Sequence, residues 1–72
     1  MVEIDLHGLT HREVENTLES MLITHYNLGS FPIRVITGHS HVMKKLLSRA
    51  VDNQKFTMKE ELHNGGAVIV YE

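Results

Sequence analysis

The fold of this chain is decided by the stretch Glu3-Ile4-Asp5-Leu6-His7-Gly8-Leu9-Thr10. Apolar and polar residues alternate in its first half, which predicts a β-strand with Asp5 and His7 together on the polar face. Gly8 then marks a tight turn, and Thr10 is a residue type that commonly begins a helix. The stretch therefore delivers a carboxylate and an imidazole to the end of a strand, beside a helix N-terminus. The simpler alternative is that both are surface residues of an exposed sheet face.

Composition limits the class of protein. The 72 residues suffice for one small domain, so we expect residues 1–72 to form a single domain with one modest core. The absence of cysteine excludes disulfides, thiolate metal sites and a cysteine nucleophile. No signal peptide or membrane-spanning apolar run is visible, so we expect a cytoplasmic protein without a membrane partner. The net charge is −2 with six histidines counted as neutral, so any nucleic-acid binding must use a local patch.

The first half of the chain predicts a strand, a helix and a second strand. Thr10 and Glu13 have the spacing of a capping box, which predicts that the helix begins there. Residues 27–30, Asn-Leu-Gly-Ser, are typical of a helix end. Residues 33–36, Ile-Arg-Val-Ile, predict the second strand, and this succession is typical of a parallel crossover.

The second half of the chain predicts a helix followed by two strands. Apolar doublets four residues apart predict the helix; they are Val42, Met43, Leu46, Leu47, Ala50 and Val51. Residues 55–62 alternate as a third strand, and Asn64-Gly65 predicts the hairpin turn after it. The last strand, residues 66–71, is apolar on both faces, which favours an internal position in the sheet. We therefore predict an α/β fold: a two-layer βαβαββ sandwich, with two helices on one face of a four-stranded mixed sheet.

This topology gathers histidines at one edge of the sheet. Ligands of open α/β sheets bind outside the carboxyl ends of the strands, where loops and helix N-termini meet. Of the six histidines, all but His25 are predicted to lie there; they are His7, His11, His39, His41 and His63. Chance clustering is an alternative, but this edge is the best candidate site in the sequence.

The loop Thr37-Gly38-His39-Ser40-His41 is a second candidate feature of the same edge. A glycine turn that opens onto a helix presents N–H groups and the positive end of the helix dipole, which suit a phosphate. Equally compatible with the spacing is a purely structural loop, with Ser40 as the helix cap and the following lysines solvated. On the binding interpretation, the phosphate-binding residues are Arg12, Thr37, Gly38, His39, Ser40, His41, Lys44 and Lys45.

Three segments resemble motifs of the Smr (small MutS-related) domain family, in its short stand-alone form. Residues 4–10 resemble its opening motif, residues 36–38 its second motif, and residues 64–70 its closing glycine turn and strand. Ser40 is a departure, because the family usually has a second glycine there. The resemblance spans nearly the whole chain and implies a nucleic-acid-binding domain, often a nuclease acting on DNA or RNA. Asp5 and His7 match the family's acid and histidine.

We therefore expect a phosphodiesterase or endonuclease, nicking DNA or cleaving RNA, with Asp5 and His7 as catalytic residues. Imidazole titrates near neutral pH, which makes His7 the better proton carrier. Asp5 could orient a water molecule, bind a metal or position His7. A metal-free route is easier for RNA, whose own 2′-hydroxyl can attack, whereas DNA favours a divalent cation such as Mg or Mn. A zinc site made of histidines lacks a recognised ligand spacing, so we assign no metal ligands.

Two non-enzymatic functions stay open at this point. In the first, the same edge is a non-catalytic module that binds a nucleic-acid backbone or a partner protein. In the second, the chain is a small adaptor that forms a homodimer through the edge of its sheet. The sequence does not distinguish nuclease from binding module, because both need the same positive edge.

Overall fold

The computed structural model describes residues 1–61 and 63–72. The elements are β1 (Glu3–Asp5), α1 (His11–Asn27), β2 (Ile33–Ile36), α2 (His41–Asn53), β3 (Thr57–Glu61) and β4 (Asn64–Tyr71). This is the predicted βαβαββ order, and the α/β class is confirmed.

The four strands form one mixed sheet in the order β1-β2-β4-β3. β1 and β2 are parallel, whereas β4 is antiparallel to both of its neighbours. Consequently β1, β2 and β3 run in one direction, and their carboxyl ends point towards the same edge of the sheet. β4 is internal, as its two apolar faces predict, and Val68 and Val70 are fully buried.

The core lies between the sheet and the two helices. Alternation places Ile33 and Val35 of β2 in the core, while Arg34 and Ile36 point to the other face and are half-buried. The helices contribute residues spaced three or four apart, which are Val14, Leu18, Leu22, Met43, Leu47, Ala50 and Val51. Within the described residues, neither helix has the length and apolar character needed to cross a membrane.

Side-chain caps fix where both helices begin. The Thr10 hydroxyl oxygen accepts the Glu13 N–H at 3.1 Å, as predicted, while the Glu13 carboxylate accepts from the Thr10 hydroxyl instead of from its backbone N–H. Ser40 caps α2, because its hydroxyl oxygen accepts the Met43 N–H at 3.1 Å. The caps orient both helix N-termini towards the loops that follow β1 and β2.

The prediction of a hairpin turn at Asn64-Gly65 is wrong. Glu61 of β3 pairs directly with Asn64, so the dipeptide already belongs to β4. The next β3 residue in the ladder, Glu60, pairs with Val68, which leaves residues 65–67 bulged out of register with β3. The reason is a tertiary one: the Gly66 carbonyl accepts the N–H groups of Thr37 and Gly38, at 2.9 and 3.1 Å. The bulge is therefore drawn towards the loop after β2.

The third strand also begins later than its alternation predicts. β3 starts at Thr57 instead of Lys55, because Lys55 adopts a left-handed backbone conformation with φ of 60° at the end of α2. The Phe56 N–H then reaches back to the Val51 carbonyl at 3.0 Å, which closes the helix end. Leu62, predicted as the last apolar residue of this strand, lies outside the described residues.

Candidate functional site

Three segments meet at the edge formed by the strand carboxyl ends. They are His7 after β1, the loop of residues 37–41 after β2, and Gly65-Gly66 at the start of β4; together we call them the histidine edge. The Gly66 carbonyl joins the second segment to the third through two N–H groups. The first is joined to the second by the packing of His7 on Gly38. The predicted convergence of these segments is therefore present in the structure.

Asp5 acts on the backbone of His7. Its Oδ1 atom accepts the His7 N–H at 2.9 Å, which is an Asx turn that fixes the direction of the chain as it leaves β1. In the described part of the chain, no hydrogen bond joins the Asp5 carboxylate to the His7 imidazole. Of the three roles considered for Asp5, the structure shows contacts suited to positioning His7.

The His7 ring packs against Gly38. A Cβ atom built on Gly38 would lie 3.0 Å from His7 Cδ2, closer than side chains normally approach, and Gly38 has φ of +64°. Glycine is therefore required there twice, once by the left-handed backbone and once by the imidazole. The contact places the His7 ring at the entrance to the loop that leads into α2.

Thr37 and Gly38 are occupied within the fold. Their N–H groups donate to the Gly66 carbonyl, and the Thr37 hydroxyl donates to the Gly38 carbonyl at 2.9 Å. Thr37 is also buried, with 1% of its surface exposed. The contacts observed for both residues hold the shape of the loop, and phosphate binding by either residue stays a prediction.

The next four amides are available to an anion. The N–H groups of His39, Ser40, His41 and Val42 donate to no other residue that the structure describes. Those at the start of α2 lack intrahelical partners because a helix leaves its first N–H groups unpaired. The Ser40 hydroxyl, in contrast, already accepts the Met43 N–H. The backbone donors left unpaired at the predicted anion site therefore begin at His39.

The predicted basic residues divide into two groups. Lys44 forms an ion pair with Glu60 of β3, with Nζ 3.3 Å from Oε1, and only 20% of its side chain is exposed. The sequence predicts Lys44 as a phosphate contact, but this pairing ties α2 to β3. Arg12 and Lys45 are exposed and form no ion pair with any residue in the ranges 1–61 and 63–72. These two, with the exposed His39 and His41, are predicted contacts that a nucleic-acid backbone can reach.

The open face of the sheet carries a neutralised arginine. Arg34 donates to both carboxylate oxygens of Glu61, at 2.7 and 2.9 Å, and to Glu3 at 3.0 Å. Hydrogen bonding to Arg34 lowers the pKa of Glu61, and the same contact raises the pKa of Arg34. Because its charge is matched by two carboxylates, Arg34 is a poor candidate for binding phosphate. The histidine edge is the better-suited surface.

His39 makes a contact that the sequence does not reveal. Its Nδ1 and Cε1 atoms lie 3.8 and 3.9 Å from a Cβ atom built on Gly65. His39 and Gly65 are far apart in the chain, and the bulge in β4 brings them together. No local sequence signal predicts this contact, because Asn64-Gly65 is a turn signal when taken alone.

A groove of about 150 Å³ lies between α1 and α2, and none of its lining residues belongs to the histidine edge. In the described residues, no group of three or more His, Cys, Asp or Glu is arranged to hold a metal ion.

The model of one family, described as the Smr domain, matches residues 4–71, which include all six secondary-structure elements apart from the first residue of β1. No curated protein and no solved structure matches the chain.

Proposed function

This chain belongs to the Smr domain family, and we propose that it is a phosphodiesterase that cleaves nucleic acid at the histidine edge. Smr domains generally bind nucleic acids, so membership supports a nucleic-acid-binding or endonuclease-like function in general terms. The proposal of cleavage at the histidine edge rests on one observation, the packing of His7 on Gly38. That contact puts a proton carrier beside a row of unpaired amides.

The proposed chemistry follows from what phosphodiester cleavage requires. One group must activate the nucleophile, another must protonate the leaving oxygen, and donors must stabilise the charge on the phosphorane. His7 supplies proton transfer. The amides from His39 to Val42 donate hydrogen bonds to the phosphorane, and the positive end of the α2 dipole favours its negative charge. In this proposal the exposed Arg12 and Lys45 contact neighbouring phosphates, which positions the strand without reading its sequence.

Asp5 supports this chemistry as a positioning residue. Its carboxylate holds the His7 N–H at 2.9 Å and so controls where the imidazole projects. A role for the Asp5 charge, in a divalent-cation route for example, is a different proposal, which substitution of Asp5 by Asn and by Ala separates from positioning.

The experiment incubates the purified chain with end-labelled RNA and DNA, with Mg²⁺, with Mn²⁺, or with EDTA. We expect cleavage by the wild type and a loss of about a hundredfold or more for His7→Ala, the usual worth of a positioned acid or base, while the dissociation constant changes little. His25→Ala is the matched control, because His25 lies in the last turn of α1, away from the histidine edge. Circular dichroism checks that each variant is folded.

A non-catalytic binding module is the second candidate. It is favoured by the engagement of the Asp5 carboxylate with the His7 backbone N–H, which leaves the His7 imidazole as the one side chain of the predicted catalytic pair without a hydrogen bond to a described residue. A wild type that binds RNA or DNA but cuts neither, under any of the metal conditions, would replace the enzyme with this module.

A further inference from the structure

The outer surface of the helix layer carries a charge pattern of its own. α1 has three carboxylates and one arginine, whereas α2 has three basic residues and one carboxylate. An acidic helix therefore lies beside a basic one. Of the α2 cations, Lys44 is already paired with Glu60 on β3, while Lys45 and Arg49 are exposed.

The groove between the two helices has opposite charges on its two walls. Its lining includes Glu15 and Glu19 on α1 and Arg49 on α2, together with apolar residues of both helices. Glu19 accepts hydrogen bonds from side chains at the end of α2. The side chains of Glu15 and Arg49 are exposed, and neither forms an ion pair or a hydrogen bond with a residue in the ranges 1–61 and 63–72. Both charges are therefore available to a partner.

We propose that the helix layer is the interface of a homodimer, in which a second copy of the chain packs its own helix layer against this one. The charge pattern selects this partner. A surface that is acidic on one side of a groove and basic on the other becomes complementary to itself when it is turned over about an axis along the groove. That rotation lays α1 of each copy on α2 of the other, so that acid meets base twice. The dimer goes beyond the proposed function and does not depend on it.

The same charges decide the direction of the two-fold axis. An axis across the helices would place α1 on α1 and α2 on α2, which sets like charges against each other. An axis along the groove keeps each residue at its level along the helices, so Glu15 of one copy comes within reach of Arg49 of the other. Because the capped N-termini of both helices lie at the histidine edge, this axis also brings the two histidine edges of the dimer to the same end.

The size of the surface matches that of a weak dimer. The molecule measures 28 × 27 × 19 Å, so one broad face covers roughly 750 Å², close to the about 800 Å² per partner of a standard interface. The exposed apolar part is small, since Val42 is 49% exposed and Leu46, one turn further along α2, is half-buried. We therefore expect the charges to supply much of the specificity and the dimer to dissociate on dilution.

Sedimentation equilibrium of the full chain tests the dimer from about 10 µM to about 1 mM, a range suited to a weak interface. We expect the wild-type mass to rise from one chain towards two. Arg49→Glu and Glu15→Arg should each weaken the dimer by about tenfold or more, because a two-fold interface contains every substitution twice and like charges then face each other. An equimolar mixture of the two variants should dimerise like the wild type, since the heterodimer restores both pairings of opposite charge.

Lys59→Glu is the matched control for Arg49→Glu. It makes the same change of charge at an exposed position of β3, next to Met58, which packs on the core. Alternation along the strand therefore points Lys59 to the face of the sheet opposite the helices. This variant should dimerise like the wild type, and circular dichroism checks that each variant is folded.

Cross-linking tests the axis. The chain has no cysteine, so Glu15→Cys and Arg49→Cys each contain a single thiol. With a short bis-maleimide at high protein concentration, a mixture of the two variants should form a cross-linked pair of unlike chains, which mass spectrometry identifies. Each variant alone should cross-link far less.

Each failure overturns a separate part of the proposal. A single-chain mass for the wild type over the whole range overturns the dimer. A dimer that the two charge reversals weaken no more than Lys59→Glu does overturns the helix layer as its interface. Cross-linking of Glu15→Cys with itself but not with Arg49→Cys overturns the axis. None of these measurements uses nucleic acid, so a failure of the dimer is distinguishable from a failure of the proposed function.

Discussion

At the scale of single residues, the glycines of this chain can be tested against one another. Gly38 has both a left-handed backbone, with φ of +64°, and a neighbouring imidazole 3.0 Å from a Cβ atom built on it. Gly29 has the left-handed backbone, with φ of +74°, but nothing near such an atom, and Gly8 has neither constraint. Three identical substitutions therefore separate backbone strain from displacement of His7.

Gly38→Ala should lower both stability and cleavage, because the methyl group strains the backbone and pushes the His7 ring aside. Gly29→Ala should lose roughly 1–2 kcal/mol of unfolding free energy through strain alone and keep its activity per folded molecule. Gly8→Ala should change neither. The measurements are urea unfolding and cleavage rate for each variant. Equal activity of Gly38→Ala and Gly29→Ala would show that the His7–Gly38 contact is irrelevant to the reaction.

The role of Asp5 is tested by a pair of substitutions at the same position. Asn retains an oxygen that can accept the His7 N–H, now observed at 2.9 Å, whereas Ala retains none. If Asp5 positions His7, Asp5→Asn should keep most of the cleavage rate and Asp5→Ala should lose about tenfold or more, by misplacing the imidazole. Equal and large losses in both variants would instead point to a requirement for the charge, and the EDTA series would then distinguish a metal route.

At the scale of elements, two adjacent lysines of α2 have different tasks. Lys44 is paired with Glu60 on β3, while Lys45 is exposed and unpaired among the described residues. Lys44→Ala should cost under about 1 kcal/mol of stability, as a partly exposed ion pair does, and leave the salt dependence of RNA binding unchanged. Lys45→Ala should leave stability unchanged and reduce the slope of log affinity against log salt by about 1.

A double-mutant cycle provides the control for the ion pair of Lys44 and Glu60. Lys44→Ala and Glu60→Ala should be less than additive in unfolding free energy, because each removes the same contact. Binding titrations at several salt concentrations test the nucleic-acid side. A reduced salt slope in Lys44→Ala, with additive stability effects, would return Lys44 to the phosphate-binding residues that the sequence predicts.

At the scale of the whole molecule, Arg34 ties three strands together across the open face of the sheet. It bridges Glu3 of β1 and Glu61 of β3 from its place in β2, spanning the internal strand β4. The pKa of Glu61 is lowered by this contact, so the native state binds a proton at Glu61 less readily than the unfolded chain does. The stabilisation is therefore complete above the usual pKa of a glutamate and is lost as pH falls through the lowered one.

Glu61→Gln should accordingly weaken the acid dependence of stability. We expect the wild-type unfolding free energy to fall more steeply than that of Glu61→Gln once pH drops below the usual range of a glutamate carboxyl, while the two converge at the acid limit. Urea unfolding between pH 7 and pH 2 measures the unfolding free energy of both proteins. Glu15→Gln, an exposed carboxyl on α1, is the matched control and should follow the wild type. Parallel curves for the wild type and Glu61→Gln would contradict the linkage.

The sequence by itself determined the order of elements, the helix caps and the internal position of the last strand. These follow from local periodicity and from side chains that bond within three residues, as Thr10 and Ser40 do. It also placed Asp5, His7 and the loop after β2 at one edge, because parallel strands share the direction of their carboxyl ends.

Only the tertiary structure decided which groups contact one another at the histidine edge. The Gly66 carbonyl accepts the N–H groups of two residues in the loop after β2. The segment that its local sequence predicts as a hairpin turn therefore forms a bulge, and His39 lies against Gly65. Likewise, Lys44 of α2 and Arg34 of β2 form ion pairs with carboxylates of β3. Neither pairing can be predicted from the sequence of α2 or β2 alone. Such contacts depend on which distant groups the fold brings within hydrogen-bonding reach, and periodicity along one element carries no information about them.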